Sequence, residues 1–231
     1  MNTRQIDSFE NFQHVTKGYN IEINNNQLDL FKRYYKILLE WNKKINLISR
    51  RGEDSIIEKH FLDSIVFLPE IENLINHNQG RINPAPTNLL DIGSGGGFPA
   101  IPLAIMKPDW DFVLCESIKK KAGFLTTLVK ELNLEKRVTI INDRVETLSN
   151  NQFDFITARA IAKLDILIKY ALPLLKKDGH LLAYKAKDID DEIKTAEEII
   201  KKNKLKLKIF SKEINGVERK LIVIRHCEES T

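Results

Sequence analysis

Leu89-Leu90-Asp91-Ile92-Gly93-Ser94-Gly95-Gly96-Gly97-Phe98-Pro99 is the stretch on which the reading of this chain turns. An apolar run carries a carboxylate near its end, four glycines fall within positions 93–97, and a proline closes the stretch. The pattern predicts a buried strand, a tight loop and the start of a helix. Turns of this kind lie at the carboxyl edge of a parallel sheet, where open α/β folds bind their ligands.

Downstream, short apolar runs alternate with segments of helical period. Strands are expected at Leu89–Ile92, Phe112–Glu116, Val138–Asn142, Phe153–Ala158 and His180–Tyr184. Helices are expected at Pro99–Met106, Ser117–Leu132, Leu164–Leu175 and Ile189–Lys204. Such alternation predicts a mainly parallel sheet covered on both faces. Leu205–Phe210 and Leu221–Arg225, with Gly216 between them, read as a closing hairpin, so at least one late strand runs antiparallel. The sum is a seven-stranded α/β, Rossmann-like sheet. Upstream, Gln27–Leu47 and Ile56–Leu68 carry apolar residues at spacings of three and four, and Pro69 is expected to end the second run. His77–Gly80 and Asn83–Pro86 form a polar, proline-marked connection. The chain therefore divides into an N-terminal helical extension, 1–87, and a main domain, 88–231.

Two ligands compete for the glycine loop. Gly95 to Ala100 matches the dinucleotide pattern G-x-G-x-x-A, and Glu116 lies near the separation of its ribose-binding acid. Charge separates the two. A pyrophosphate at the loop would be repelled by Asp91, whereas the sulfonium and ammonium of S-adenosylmethionine would be attracted. Asp91, Gly93 and Gly95 thus form an Asp-x-Gly-x-Gly motif in which the backbone approaches the ligand closely, and the ligand's own carboxylate is expected to meet the loop amides. Glu116, ending the second strand, suits a pair of ribose hydroxyls, and equally suits the cap of the following helix. Asp143-Arg144-Val145-Glu146 follows the third strand, where an adenine ring would pack; the competing reading is a surface turn.

Composition narrows the class. The chain has 231 residues, 42% hydrophobic and 29% charged, with a formal net charge of +4. That fits a globular protein with a real core and permits an anionic partner without requiring one. Cys115 and Cys227 make no zinc-type spacing, no metal is expected, and Cys115 reads as a small core residue. No leading apolar segment and no membrane-length apolar run are visible, so a cytoplasmic protein without a membrane partner is expected.

Asp91 to Leu103 resembles the first motif of the bacterial small-subunit (16S) ribosomal RNA guanine-N7 methyltransferases, also called the glucose-inhibited division protein B family. Trp41–Leu47, Lys59-His60-Phe61-Leu62-Asp63-Ser64, Arg144-Val145-Glu146 and Ala158-Arg159-Ala160 are similar to further family segments in the same order. The resemblance runs from about Gln27 to Arg225. It implies a class I methyltransferase fold and methyl transfer from S-adenosylmethionine to N7 of one guanine in the decoding region of 16S rRNA, making this an enzyme of rRNA processing. It also implies cofactor contacts at Gly93, Phe98, Glu116, Val145, Glu146 and Arg159. The partner would be 16S rRNA, the small subunit or its precursor, and the enzyme a monomer. Ala100, Ala158 and Ala186 depart from residues common in the family, and none removes a charge.

N7 of guanine has an in-plane lone pair and no proton, so alignment and desolvation suffice and no general base is required. His60 accordingly reads as a hydrogen-bonded structural residue near Asp63 at the site's rim. Arg159 and Lys185, ending strands four and five, are candidates for positioning substrate, with Arg159 expected not to grip N7. Arg50, Arg51, Lys119, Lys120, Lys163 and Lys187 form a candidate phosphate-binding rim. Alternatives from other classes are a methyltransferase acting on a protein or small molecule, a nicotinamide-dependent oxidoreductase, and a non-catalytic ribosome-assembly binder.

Overall fold

The computed structural model describes residues 3–49, 55–78, 87–149, 153–186 and 189–227. The helical part comes first: α1 (Thr3–Lys17), α2 (Asn25–Asn42), a π-helical turn (Ile57–Leu62), a short α3 (Asp63–Ile65) and α4 (Leu68–Asn78). The α/β part follows as β1 (Asn88–Ile92), α5 (Ala100–Met106), β2 (Asp111–Cys115), α6 (Lys119–Glu131), β3 (Val138–Ile141), β4 (Phe153–Arg159), α7 (Leu164–Ala171), β5 (Leu175–Lys185), α8 (Asp190–Lys202), β6 (Leu205–Ile214) and β7 (Val217–His226). The sheet order is β3-β2-β1-β4-β5-β7-β6. The first five strands in that order are parallel, and β7 runs antiparallel to both its neighbours. This is the expected mainly parallel, seven-stranded architecture. β1 is the middle one of the five parallel strands, so the glycine loop opens where the strand order reverses, the usual ligand crevice of an open α/β sheet.

The period-two alternation of β1 assigns its residues to opposite faces. Leu89 packs with α2, the π-helical turn, α5 and α6, in one apolar cluster that also holds Phe31, Tyr34, Phe61 and Phe67. Leu90 and Ile92 pack with Leu164, Leu167 and Ile168 of α7 on the other face. α2 begins at a capping box: Asn24 and Gln27 exchange side-chain to backbone hydrogen bonds, both of 2.9 Å.

Several boundaries differ from the sequence expectation. Ile56–Leu68 is not one helix ending at Pro69. The π-helical turn and α3 occupy it, and Pro69 sits in the first turn of α4, where its missing N–H leaves no bond unmade. His77 and Asn78 close α4 instead of opening a linker, and 79–86 lie outside the described residues. α1 is an additional helix, with Phe9 and Phe12 in the core. β5 begins at Leu175, five residues before His180, and β6 and β7 extend to a tight turn at Asn215-Gly216, both at positive φ.

Candidate active site

The loop after β1 is held from three sides. Gly93 N–H donates to the Cys115 carbonyl at 2.8 Å, and Gly97 N–H to the Ser94 carbonyl at 2.6 Å. Gly95 N–H donates to Glu116 Oε2 at 2.8 Å, while Glu116 Oε1 accepts from Ile118 N–H, also at 2.8 Å. Glu116 therefore ties the glycine loop to the start of α6. Its bond is to the amide of Ile118, the residue before α6, and not to a first-turn amide, so it is not the helix cap expected of it; each oxygen retains a lone pair for another donor. These amides are engaged by protein acceptors, so the expectation that loop N–H groups wait for the ligand's carboxylate does not hold at Gly93, Gly95 or Gly97.

The helical layer supplies the third side. The Tyr34 hydroxyl donates to the Gly96 carbonyl, and its ring stacks on Phe98 at 5.4 Å and 20°. His60 stacks on the same Phe98 at 4.8 Å and 23°. Phe98 is thereby a buried peg between the glycine loop and the helices, with the Arg159 guanidinium 5.7 Å from its ring centre.

Asp91 is completely buried. Its Oδ1 accepts from the Thr157 hydroxyl at 2.7 Å, in the register that pairs β1 with β4. Its Oδ2 meets no hydrogen-bond partner among the described residues. Burial pushes the carboxyl up to about 7, and the nearby Glu116 adds in the same direction. An unpartnered buried carboxylate oxygen behind a glycine loop favours a cationic ligand over a phosphate.

Beside the loop lies a cleft of about 350 Å³. Gly93, Cys115, Ser117, the segment 143–146, Ile161 and Tyr170 line it. Three strand ends and α7 thus meet at one opening. Gly93 has φ +68°, and a Cβ there would stand 1.9 Å from Ile161 Cδ1, so the cleft closes around hydrogen at this position. Val145 is buried and Glu146 exposed, and the Glu146 carboxylate beside Tyr170 raises the phenol's pKa. Burial pushes the Cys115 thiol up to about 11, so it is unreactive, in line with its reading as a core residue.

A match to the family model described as rRNA small subunit methyltransferase G covers residues 27–222. The chain belongs to this family. It is 35% identical to the ribosomal RNA small subunit methyltransferase G of Lactococcus lactis subsp. cremoris, across 96% of this chain and 92% of that one. It is equally identical to the protein of the same name from Carboxydothermus hydrogenoformans, across 92% and 88%. Among solved structures the fold matches the N-terminal domain of human METTL16 in complex with SAH (TM-score 0.58, 16% identity, 71% of this chain and 70% of that). It also matches a precorrin-6y C5,15-methyltransferase from Geobacter metallireducens (TM-score 0.53, 14% identity, 79% and 92%). The chain is an S-adenosylmethionine-dependent methyltransferase with the class I fold. The dinucleotide reading of the loop gives way to this family, as the charge of Asp91 argued.

The remaining family residues separate into two groups. Asp91, Gly93, Glu116, Val145 and Glu146 surround the cleft or stand directly behind it. Arg159 faces the helical layer instead. Its Nη2 donates to the Lys59 carbonyl at 2.7 Å, contacts His60 Nδ1 at 2.9 Å and pairs with Asp63 Oδ2 at 3.1 Å. Arg219 takes the other oxygen of Asp63 at 2.9 Å. His60 is hydrogen-bonded, as read, with Arg159 as its partner. Lys185 pairs with Glu192 at 2.6 Å and donates to the Ala162 carbonyl at 2.9 Å, bracing the loop that carries Ile161. Lys119, Lys120 and Lys163 are exposed at the same sheet edge as the cleft. Arg50, Arg51 and Lys187 lie outside the described residues. Sequence reading passed over Ile161 and Tyr170. An apolar residue directly after Ala158-Arg159-Ala160 was the available signal for Ile161; Tyr170, on a helix face, offered none.

Proposed function

We propose that this chain transfers a methyl group from S-adenosylmethionine to N7 of a specific guanine in the decoding region of 16S rRNA. The observation that carries the reading is the extent of the family match. It begins at residue 27 and runs through the helices that wall the glycine loop, not only through the cofactor-binding half common to many methyltransferases. When bound, S-adenosylmethionine supplies a methyl group on positively charged sulfur, which the N7 lone pair attacks.

The chain's own residues have to bind, align and exclude water. Asp91 favours positive charge from behind the loop, Gly93 and Gly95 admit close approach, and Phe98 fixes the loop's outer wall. Glu116 faces the ribose hydroxyls, while Val145 and Glu146 flank the adenine. Arg159 stands at the acceptor end of β4, held by the helical layer. No side chain has to remove a proton, because N7 carries none. Burial, with the Arg159 and Lys59 cations, lowers the His60 pKa to about 4, so this imidazole is a poor base at neutral pH.

Lys119 and Lys120 open α6, whose first turn contains no acid. Cations at a helix N-terminus oppose the macrodipole. They lower helix stability where they stand, which supports a role facing phosphates, together with Lys163. We assign residues 1–87 to a helical extension and 88–231 to the methyltransferase domain, acting as a cytoplasmic monomer on 16S rRNA or the small subunit.

The test uses purified protein, labelled S-adenosylmethionine and two acceptors from cells lacking the modification: naked 16S rRNA and small subunits. Label in 7-methylguanine at one position is the expected result. Label confined to protein or small molecules, or no transfer to either acceptor despite cofactor binding, refutes the proposal.

A further inference from the structure

His60 stacks on Phe98 and meets Arg159 through Nδ1. It lies in the π-helical turn Ile57–Leu62, and such turns are frequent at functional sites. Its ring rests on Phe98, which directly follows the glycine loop whose Gly93 lines the cleft, so the helical layer brings it against the loop from the side of the N-terminal helices. Its tautomer follows from its partner. A guanidinium only donates, so His60 Nδ1, at 2.9 Å from Arg159 Nη2, accepts, and the ring proton sits on Nε2. Among the described residues nothing accepts from Nε2, and the side chain is only partly buried. Beside Phe98 there is therefore a neutral N–H donor of fixed orientation with no acceptor among the described residues.

The acceptor chemistry suits such a donor. The Hoogsteen edge of guanine offers O6 and N7 as acceptors. N7 must stay free to react, and its methylation leaves the base positively charged. A cation held at this edge would oppose that charge, while a neutral donor at O6 would not. Arg159 is turned to the helical layer: Lys59, His60 and Asp63 hold its Nη2, and its Nη1 lies 3.5 Å from the His60 carbonyl and from Ser64 Oγ. We propose that the Nε2–H of His60 donates to O6 of the target guanine and so presents N7 to the methyl donor. This rests on guanine N7 being the acceptor, as proposed above.

The experiment measures single-turnover methyl transfer at saturating cofactor by the full chain and its His60→Phe and His60→Gln variants. The acceptors are reconstituted small-subunit RNAs bearing guanine, or 2-aminopurine, which keeps N7 but lacks O6, at the target position. Loss of one neutral hydrogen bond corresponds to roughly a tenfold slowing. His60→Phe, which keeps an aromatic ring against Phe98, is expected to bind S-adenosylhomocysteine as wild type does and to slow by about that factor on guanine RNA. On 2-aminopurine RNA the wild type should already be slow, and the variant should add less than about twofold. His60→Gln, with an amide N–H of similar reach, should recover most of the guanine rate. Equal slowing by His60→Phe on both RNAs, or slowing that tracks lost cofactor affinity, overturns the proposal. Should the Phe variant not fold, wild type losing less than about twofold on 2-aminopurine overturns it equally. A wild-type chain that methylates neither RNA refutes the guanine reading itself, a separate result.

Discussion

Gly93 and Gly97 both have positive φ, +68° and +90°, yet alanine at the two positions should do different things. At Gly93 the new Cβ meets the end of Ile161, a side chain 44% exposed that can swing outward. The stability cost is then mainly the left-handed backbone, about 1–2 kcal/mol for a residue bearing a Cβ. For a chain of this size that lowers the melting temperature by about 2–8 °C. The displaced Ile161 and the new methyl both intrude on the cleft, so affinity for S-adenosylhomocysteine should fall by at least about tenfold, or ~1.4 kcal/mol. At Gly97 the Cβ would stand 2.8 Å from the Tyr34 hydroxyl oxygen and 2.9 Å from Ile101 Cγ1, and both residues are completely buried. Overpacking of about 1–3 kcal/mol adds to the same backbone cost. Gly97→Ala should therefore be the less stable protein and Gly93→Ala the weaker binder relative to its stability. Thermal unfolding and calorimetric titration with S-adenosylhomocysteine measure both, and Gly93→Ala/Ile161→Ala should regain part of the affinity. A Gly93→Ala variant that binds within about twofold of wild type would refute the assignment of the cleft to the cofactor.

Asp91 makes both stability and binding depend on pH. Because burial raises its folded pKa to about 7, the ligand-free protein holds a proton there that the unfolded chain has released, and stability falls as pH rises toward that value. Affinity for S-adenosylmethionine should rise over the same interval, since its positive charges favour ionised Asp91; Asp91→Asn should flatten both trends in melting curves and titrations. Lys185→Ala removes the partner of Glu192 and the brace on the Ala162 carbonyl, at about 1–3 kcal/mol. It should lower the melting temperature and cofactor affinity together; an effect on RNA binding alone in filter-binding assays would contradict that bracing role. Tyr34→Phe leaves the Gly96 carbonyl without its donor and should cost about 1–3 kcal/mol in denaturant unfolding. Unchanged stability there would mean that the hydroxyl does not hold the loop.

The central strands were readable because each is a short apolar run closed by a turn signal, and β1 to β4 fall within a residue or so of their expected places. β5 was readable only from His180, because Lys176-Lys177-Asp178 offers no apolar pattern and its pairing with β4 passes an irregularity between Phe153 and Phe155. The π-helical turn was hidden for a different reason: over six residues its periodicity is indistinguishable from that of an α-helix. At the site, Asp91, the glycines and Glu116 stood out because charge and backbone freedom at a strand end are local properties. The side of the loop facing the helical layer was not local. Asp63, Arg159 and Arg219 come from a helix and two strands, and no spacing in the sequence announces that one carboxylate holds two guanidiniums.

That junction changes how the N-terminal helices should be understood. Tyr184 of β5 donates to the Ser64 carbonyl at 3.0 Å, Arg159 of β4 and Arg219 of β7 converge on Asp63, and Tyr34 reaches the glycine loop itself. Phe31, Phe61 and Phe67 share one apolar cluster with Leu182, Leu221 and Val223 of the sheet. These contacts tie the helical layer to the glycine loop, most directly through the Tyr34 bond to the Gly96 carbonyl and the rings stacked on Phe98. The cleft is lined by the α/β part, while Tyr34 and His60 of the helical layer pack on Phe98 just after the glycines. Phe98 stacks on both Tyr34 and His60, so the ring that directly follows the glycines is where the helical layer and the loop meet.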